Sequence, residues 1–260
     1  MTYVRYEVKD RLLHLTLDAP ERLNAWGDED VAELREALIR FDLDDDAWVA
    51  VLSGAGKAFH AGANMKSRHS RTAEEEHRLA GAKPPNARNA DLLRGFVNWK
   101  PVIAAVHGHV LGGGFNLAMG CDLIVAAEST KFGLFEVRRG IRGGHGLALL
   151  RELKGAGGLA DELALTDRTF STAEALAAGV VSRVAPDGEQ VAVADEIAEQ
   201  CLALPPLAVR SNVRLRRHRV ARIADEFEIM TTSVQLHQSN DYREAKAAFR
   251  EKRKPNFTGT

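Results

Sequence analysis

The chain has 260 residues, 45% of them hydrophobic, and 35 Lys and Arg stand against 36 Asp and Glu for a formal net charge of −1. That length and apolar content suit one large domain, or one domain with an appendage, and exclude a disordered chain. The balanced charge supplies no global field toward nucleic acid or a membrane, and the spacing of the only two cysteines, Cys121 and Cys201, fits no zinc or redox motif and builds no disulfide framework.

The first residues carry no charged-then-apolar leader, and no apolar run reaches membrane-span length, so a soluble cytoplasmic protein is expected. Residues 3–8 and 11–17 are predicted as strands, because Leu13, Leu15 and Leu17 alternate with His14 and Thr16. The spacing of Val31, Leu34, Leu38 and Phe41 predicts an amphipathic helix over 28–42. Residues 48–52 read as a buried strand closed by Ser53-Gly54-Ala55-Gly56. Residues 64–98 are polar, with Pro84-Pro85 near the middle and a helical pattern at 88–97, and read as a flap or insert. A strand at 101–107, a glycine-led helix, a strand at 121–128 and a short strand at 131–136 follow. Helices are predicted over 145–153, 157–165 and 172–178, with one more strand at 180–185. After 187 only helices remain, at 187–204, 206–218, 220–236 and 239–252. The basic run from Arg214 to Arg219, with Arg210 and Arg222, reads as an exposed helix face rather than a nucleic-acid site. Strand–helix alternation followed by helices implies an α/β core over 1–186 and a helical subdomain over 187–260.

The segment Gly112-Gly113-Gly114-Phe115-Asn116 carries the most information. Three glycines between an apolar strand and a helix let backbone approach a ligand closely, because no Cβ intervenes. They also leave the first N–H groups of the helix pointing outward, a geometry that suits an oxyanion better than a base or a metal.

Four ordered segments carry a resemblance to a known family. They are Leu23-Asn24-Ala25, the loop from Lys57 to Lys66 with Ala61-Gly62-Ala63-Asn64 at its centre, the run from Gly112 to Asp122, and Phe132-Gly133-Leu134-Phe135-Glu136 followed by Gly140, Gly143 and Gly144. Residues 173–181 and 249–254 add two more. Together they resemble the crotonase (enoyl-CoA hydratase/isomerase) superfamily from end to end. The resemblance implies an α/β crotonase spiral of β-β-α units with a helical C-terminal trimerisation subdomain. It implies an enzyme that polarises an acyl-CoA thioester with two backbone N–H groups, here those of Ala63 and Gly113. Coenzyme A is then part of the substrate, and no separate cofactor, metal, nucleic acid or membrane partner is expected. His60, His107, His109 and His145 lie near the glycine loops, but no carboxylate or cysteine joins them at ligand spacing.

The chain departs from the family pattern at four positions, one of which, Asn64 in place of the family's usual aspartate, reads as a change of loop geometry. Family hydratases use two glutamates; the second aligns with Glu136, but the first aligns with Asn116, which cannot take a proton at neutral pH. A single glutamate at this place resembles the family's enoyl-CoA isomerases, in which one base moves a proton between the α and γ carbons. His145 stands where ordinary hydratases carry a small residue. At a helix N-terminus it would be held neutral and could serve as a base, for hydration or, in an alternative reading, for hydrolysis of a thioester or a cyclic β-diketone. Arg142 replaces an apolar residue and reads as a salt-bridge partner. The resemblance offers Arg22, Ala61, Lys66, Phe249 and Lys252 as coenzyme A contacts, the last two from a neighbouring subunit, and implies a homotrimer or a dimer of trimers.

Overall fold

The computed structural model describes residues 2–64, 99–143, 145–229, 236 and 238–260. Strands β1 (Val4–Lys9) and β2 (Leu12–Leu17) form an antiparallel hairpin. Strands β3 (Val49–Gly54), β4 (Val102–Val106), β6 (Leu123–Ala127) and β9 (Arg183–Ala185) extend it in parallel, giving the order β1-β2-β3-β4-β6-β9. A second sheet, β5-β7-β8, is built from His109–Leu111, Lys131–Gly133 and Phe170–Ser171. The chain alternates between the sheets: β4 and then β5 lead into helix α2 (Gly113–Gly120), and β6 and then β7 lead into the turn that carries Glu136. An isolated bridge from His60 to Val110 brings the first repeat to the small sheet as well. These are the strand–strand–helix units of a spiral.

Both faces of the large sheet are covered, as parallel strands require. On one face, Leu13, Leu15 and Leu17 of β2 pack with Leu34, Leu38 and Phe41 of α1 (Asp28–Leu43). On the other, Val49, Val51, Ile103, Ala105 and Val125 pack with Ala194 and Ala198 of helix α6 (Gln190–Leu202). The first long helix after residue 186 therefore lies on the sheet itself. Phe115 of α2 meets Phe132 of β7 and Phe170 of β8 edge-on at 6.3 and 5.7 Å, and Phe132 stacks on Phe170 at 5.3 Å. Aromatic pairs of this kind add about 0.5–1.5 kcal/mol each beyond the area they bury, and here they seat the glycine-led helix on the small sheet.

Several predicted elements change on folding. The strand expected over 131–136 stops at Gly133, because Phe135 adopts φ +65°, outside the strand region. Strands β5 and β8 are three and two residues long, too short to show a period. The 145–153 segment begins as α3 (His145–Ala148) and continues over Leu149–Leu153 as a wider turn, in which Lys154 N–H donates to the Leu149 carbonyl five residues back. Two short helices, α4 (Gly157–Thr166) and α5 (Thr172–Ala177), follow it. The helices expected at 206–218 and 220–236 are one helix over their described part, α7 (Pro206–Ile229), since no Gly or Pro interrupts it near 219. The last helix is α8 (Asn240–Glu251). The helical pattern at 88–97 lies outside the described residues.

The basic run on α7 is exposed at Arg214, Arg219 and Arg222, as expected, but Arg216 and Arg217 turn inward. Arg217 is fully buried; its guanidinium donates to Asp122 Oδ2 at 2.7 Å and to the Gly120 carbonyl. Arg216 donates to the Met119 and Gly120 carbonyls at 3.1 and 3.2 Å. Two arginines thus satisfy the last carbonyls of α2 and sit where its dipole favours cations. Asp122 is held from the other side by Val102 N–H at 2.9 Å. Removing one partner of a buried ion pair leaves the other uncompensated, at about 3–5 kcal/mol. Arg217→Met is expected to cost about 3 kcal/mol in stability, read as a fall in the urea midpoint at unchanged slope.

Candidate active site

The site is built where the two loops meet. Asn24, buried and at φ +57°, anchors the first loop. Its Oδ1 accepts from Ala19 N–H at 2.9 Å, and its Nδ2 donates to the Ala55 and Ala58 carbonyls at 3.0 and 2.9 Å. Asparagine tolerates the left-handed conformation better than most residues and supplies both donor and acceptor, so one side chain ties the 19–25 turn to the run that leads into Ala61. Ala61 N–H then donates to the Leu23 carbonyl at 2.9 Å. A parallel bridge pairs Trp26 with Ala63: Trp26 N–H donates to the Gly62 carbonyl at 3.0 Å, and Asn64 N–H to the Trp26 carbonyl at 2.8 Å. Because groups alternate along an extended chain, the neighbours of Ala63 face Trp26 and the Ala63 N–H faces the opposite side.

The second loop is the turn from β5 into α2. Gly112 has φ +50°, and its N–H donates to the Gly133 carbonyl at 2.8 Å. A Cβ on Gly113 would stand 2.8 Å from the Trp26 ring, and one on Gly114 would stand 2.5 Å from the His60 carbonyl oxygen. The backbone of the helix start therefore rests directly on the first loop. A Cβ built on Gly62 would lie 3.7 Å from the Gly113 nitrogen, which measures how closely the loops approach. Gly113 N–H belongs to the first turn of α2 and has no intrahelical acceptor. Among the described residues, neither it nor the Ala63 N–H donates to another protein group.

Glu136 borders the same gap. Its Oε1 lies 3.9 Å from the position a Cβ would take on Gly112. The left-handed Phe135 turns the chain so that Glu136 arrives there, a costly conformation for a bulky residue that is typical of functional turns. Arg138 and Arg139 are engaged elsewhere: Arg138 pairs with Asp167 and lies 3.9 Å over the Phe135 ring, and Arg139 lies 3.6 Å over Phe249.

Asn116, on the first turn of α2, is nearly buried, and its Oδ1 accepts from Gly146 N–H at 2.7 Å. That contact fixes which way the amide faces, so the group Asn116 can offer a ligand is the Nδ2 donor. The same bond brings the start of α3, with buried His145, against α2. His145 therefore lies one residue from the Asn116 contact, next to the gap rather than on a distant surface.

The expected coenzyme A contacts are spread more widely. Arg22 closes a fork on Asp30 at 2.7 and 2.9 Å, which holds its guanidinium above its ordinary pKa, and also donates to the Ala25 carbonyl. Phe249 is half exposed on α8, above Arg139 of its own chain. Lys252 ends α8 in the left-handed conformation and is exposed. The basic cluster around it is partly neutralised, since Arg253 donates to Glu251 at 2.7 Å and to Glu244 at 2.9 Å. Lys66 lies outside the described residues. The histidines diverge: His107 Nε2 bonds the Gly56 carbonyl at 2.9 Å, and His109 is exposed.

His60 and Trp26 are part of the site, although spacing alone did not single them out for it. His60 Nδ1 accepts from Gly62 N–H at 2.8 Å, and the rings of His60 and Trp26 meet edge-on at 4.3 Å. Burial drives the His60 pKa down to about 3, so the ring stays neutral. The signal in the sequence was a bulky, polar ring two residues before a loop glycine.

The sequence pattern of the enoyl-CoA hydratase/isomerase family matches residues 7–260. The chain belongs to this family. It is 34% identical over 255 residues to an enoyl-CoA hydratase of Mycobacterium tuberculosis, covering 96% of this chain and 94% of that protein. It is 35% identical over 257 residues to a carnitinyl-CoA dehydratase of Salmonella heidelberg, covering 95% of each. The crystal structure of an enoyl-CoA hydratase/isomerase from Pseudoalteromonas atlantica superposes with a TM-score of 0.84 at 28% identity, covering 98% of this chain and all of that one. This family member is thus an enzyme of the hydratase/isomerase type with the crotonase fold. Among its described residues, no helix is long and apolar enough to cross a membrane.

Two outcomes test the geometry. Gly114→Ala drives a Cβ into backbone and is expected to cost about 1–3 kcal/mol and most of the activity, read by urea melts and turnover. The neutral His60 also sets a pH dependence. Its folded pKa lies far below its unfolded value of about 6.5, so the unfolded chain binds the extra proton. Its contribution is complete above that value and is lost, at about 1.4 kcal/mol per pH unit, as pH falls toward 3. The stability difference between the wild type and His60→Asn should therefore shrink between pH 6 and pH 4.

Proposed function

We propose that this enzyme binds an acyl-CoA thioester with its carbonyl oxygen between the N–H groups of Ala63 and Gly113, and that Glu136 moves a proton at the α carbon. The observation that carries the reading is the approach of the two loops, with the Glu136 carboxylate beside Gly112 at their junction. Two backbone donors aimed at a developing oxyanion need no reorganisation, and each such donor is worth about 3–4 kcal/mol in the transition state. As Glu136 removes the proton, the C–H electron pair moves into the thioester carbonyl, and the resulting enolate oxygen is held by both N–H groups. Return of the proton at the γ carbon of this dienolate moves the double bond and completes isomerisation of a 3-enoyl thioester. In hydration, a water gives up a proton to a base as it attacks the β carbon of a 2-enoyl thioester. The π pair moves into the carbonyl to form an enolate held by the same N–H groups, and protonated Glu136 delivers its proton to the α carbon.

Asn116 contributes a donor, not a second base, because its oxygen is held by Gly146. It can orient a water or a substrate oxygen. His145 adjoins Gly146, the partner of Asn116, and is a candidate among the described residues to assist a water. The named relatives, a hydratase and a dehydratase, support double-bond chemistry over a hydrolase using His145. Coenzyme A is proposed to contact Ala61, Lys66 and, from a neighbouring subunit, Phe249 and Lys252, with the Arg22 guanidinium shared between Asp30 and a phosphate. A homotrimer or dimer of trimers in the cytoplasm completes the reading.

The deciding experiment incubates the enzyme with 2-enoyl- and 3-enoyl-CoA thioesters in D2O and follows products by mass spectrometry. Deuterium is expected at the α carbon, and Glu136→Gln is expected to lower kcat at least ~10²-fold, the scale for losing a general base. Full activity in that variant refutes the role of Glu136. Release of free acid and coenzyme A would replace this reading with hydrolysis.

A further inference from the structure

His60 touches both loops of the proposed oxyanion site without facing the gap. Its ring is completely buried. Its Nδ1 accepts the N–H of Gly62, the residue before Ala63, at 2.8 Å. A Cβ on Gly114 would sit 2.9 Å from that same Nδ1 and 2.7 Å from the His60 Cβ, so the ring also forms the floor under the start of α2. Trp26 extends this floor: it meets the His60 ring edge-on at 4.3 Å and lies 2.8 Å from where Gly113 would carry a Cβ. The backbone of His60 joins the same place, with its carbonyl accepting from Leu111 N–H at 3.0 Å and its N–H donating to the His109 carbonyl at 3.0 Å.

From these contacts we infer that His60 is a positioning residue, whose neutral imidazole fixes the register between the Ala63 and Gly113 N–H groups. The inference rests on the reading of those two groups as the oxyanion donors. The argument is geometric. Gly62 is buried, so its N–H needs an acceptor. That N–H belongs to the Ala61–Gly62 peptide, and the next peptide, which carries the Ala63 N–H, is held at its Gly62 carbonyl by Trp26 N–H. Losing the His60 acceptor removes one of these two anchors of Gly62, and a displacement of the adjoining Ala63 donor by a fraction of an ångström degrades an oxyanion hole. An imidazole that accepts at Nδ1 carries its single proton on Nε2, so it serves this purpose only while neutral. Burial keeps it so, even with Asp30 favouring the proton, and Arg22 opposes the proton as well.

Two substitutions separate the acceptor from the ring. His60→Phe keeps the volume and the edge contact with Trp26 but has no acceptor. His60→Asn loses the ring but places Oδ1 where Nδ1 stands. The full-length enzyme and both variants are compared by steady-state kinetics and by the absorbance of bound cinnamoyl-CoA, whose conjugated thioester shifts to longer wavelength when its carbonyl is polarised.

The expected result for His60→Phe is a kcat lower by about 10- to 100-fold, KM within about threefold of the wild type, and a largely lost red shift. His60→Asn is expected to restore both readings to within about threefold of the wild type. A His60→Phe enzyme with normal kcat and red shift overturns the inference and leaves the oxyanion reading intact. So does a His60→Asn enzyme as impaired as His60→Phe. A wild-type enzyme that neither binds nor polarises cinnamoyl-CoA overturns the oxyanion reading, and this one with it. If His60→Phe has no melting transition, His60→Ala takes its place in the same comparison, with His60→Asn required to exceed it in kcat and red shift.

Discussion

The site depends on a backbone-to-backbone approach that leaves no space for side chains between two loops. Gly112, Gly113 and Gly114 meet three different neighbours: the Leu134 carbonyl, the Trp26 ring and the His60 carbonyl. Each contact fixes one coordinate of the α2 N-terminus relative to the loop of residues 60–64. On the proposed reading, the chemistry of the gap belongs to peptide N–H groups, whose positions are set by the fold and not by rotamers. A hole built of backbone cannot be lost by a side chain turning away, but it is sensitive to anything that shifts either loop.

Helix α2 is constrained accordingly at every side. Its start lies on Trp26 and His60, its buried face rests on Phe132 and Phe170, and its end is held by Arg216 and Arg217 from α7. Arginine suits this last place because its planar fork can satisfy two acceptors at once while remaining charged. Two arginines of the basic run on α7 are thereby explained as a cap on the far end of α2. A long-range contact, nearly a hundred residues apart in the chain, stabilises eight residues that would not be a stable helix alone.

Much of this was legible in the sequence. The alternation in β2, the apolar stripe of α1 and the glycine triplet each express a rule about local geometry, and each appears where expected. What local rules could not supply was the identity of partners. Arg217 and Lys254 are both members of basic runs, yet one is buried against Asp122 and the other is exposed. Phe135 reads as a strand residue, and only the tertiary demand that Glu136 reach Gly112 places it at positive φ. Strands of two or three residues carry no period, so β5 and β8 become visible only through their pairing. His60 was visible as a histidine near a loop, but its part in the site is a contact with the peptide two residues on.

Asn116 shows how the chemistry of such a site can change while the fold stays the same. The oxygen that accepts from Gly146 N–H is present in asparagine, and a glutamate at this position, as the resemblance places in family hydratases, could in principle supply a carboxylate oxygen for the same contact. The difference lies in the other half of the group. In a carboxylate that half is a second acceptor able to hold a proton; in Asn116 it is an NH2 that can only donate. The substitution therefore removes a base, adds a donor and leaves the backbone donors of Ala63 and Gly113 where they were. On the proposed reading proton transfer falls to Glu136, whose approach to the gap is set by a separate turn.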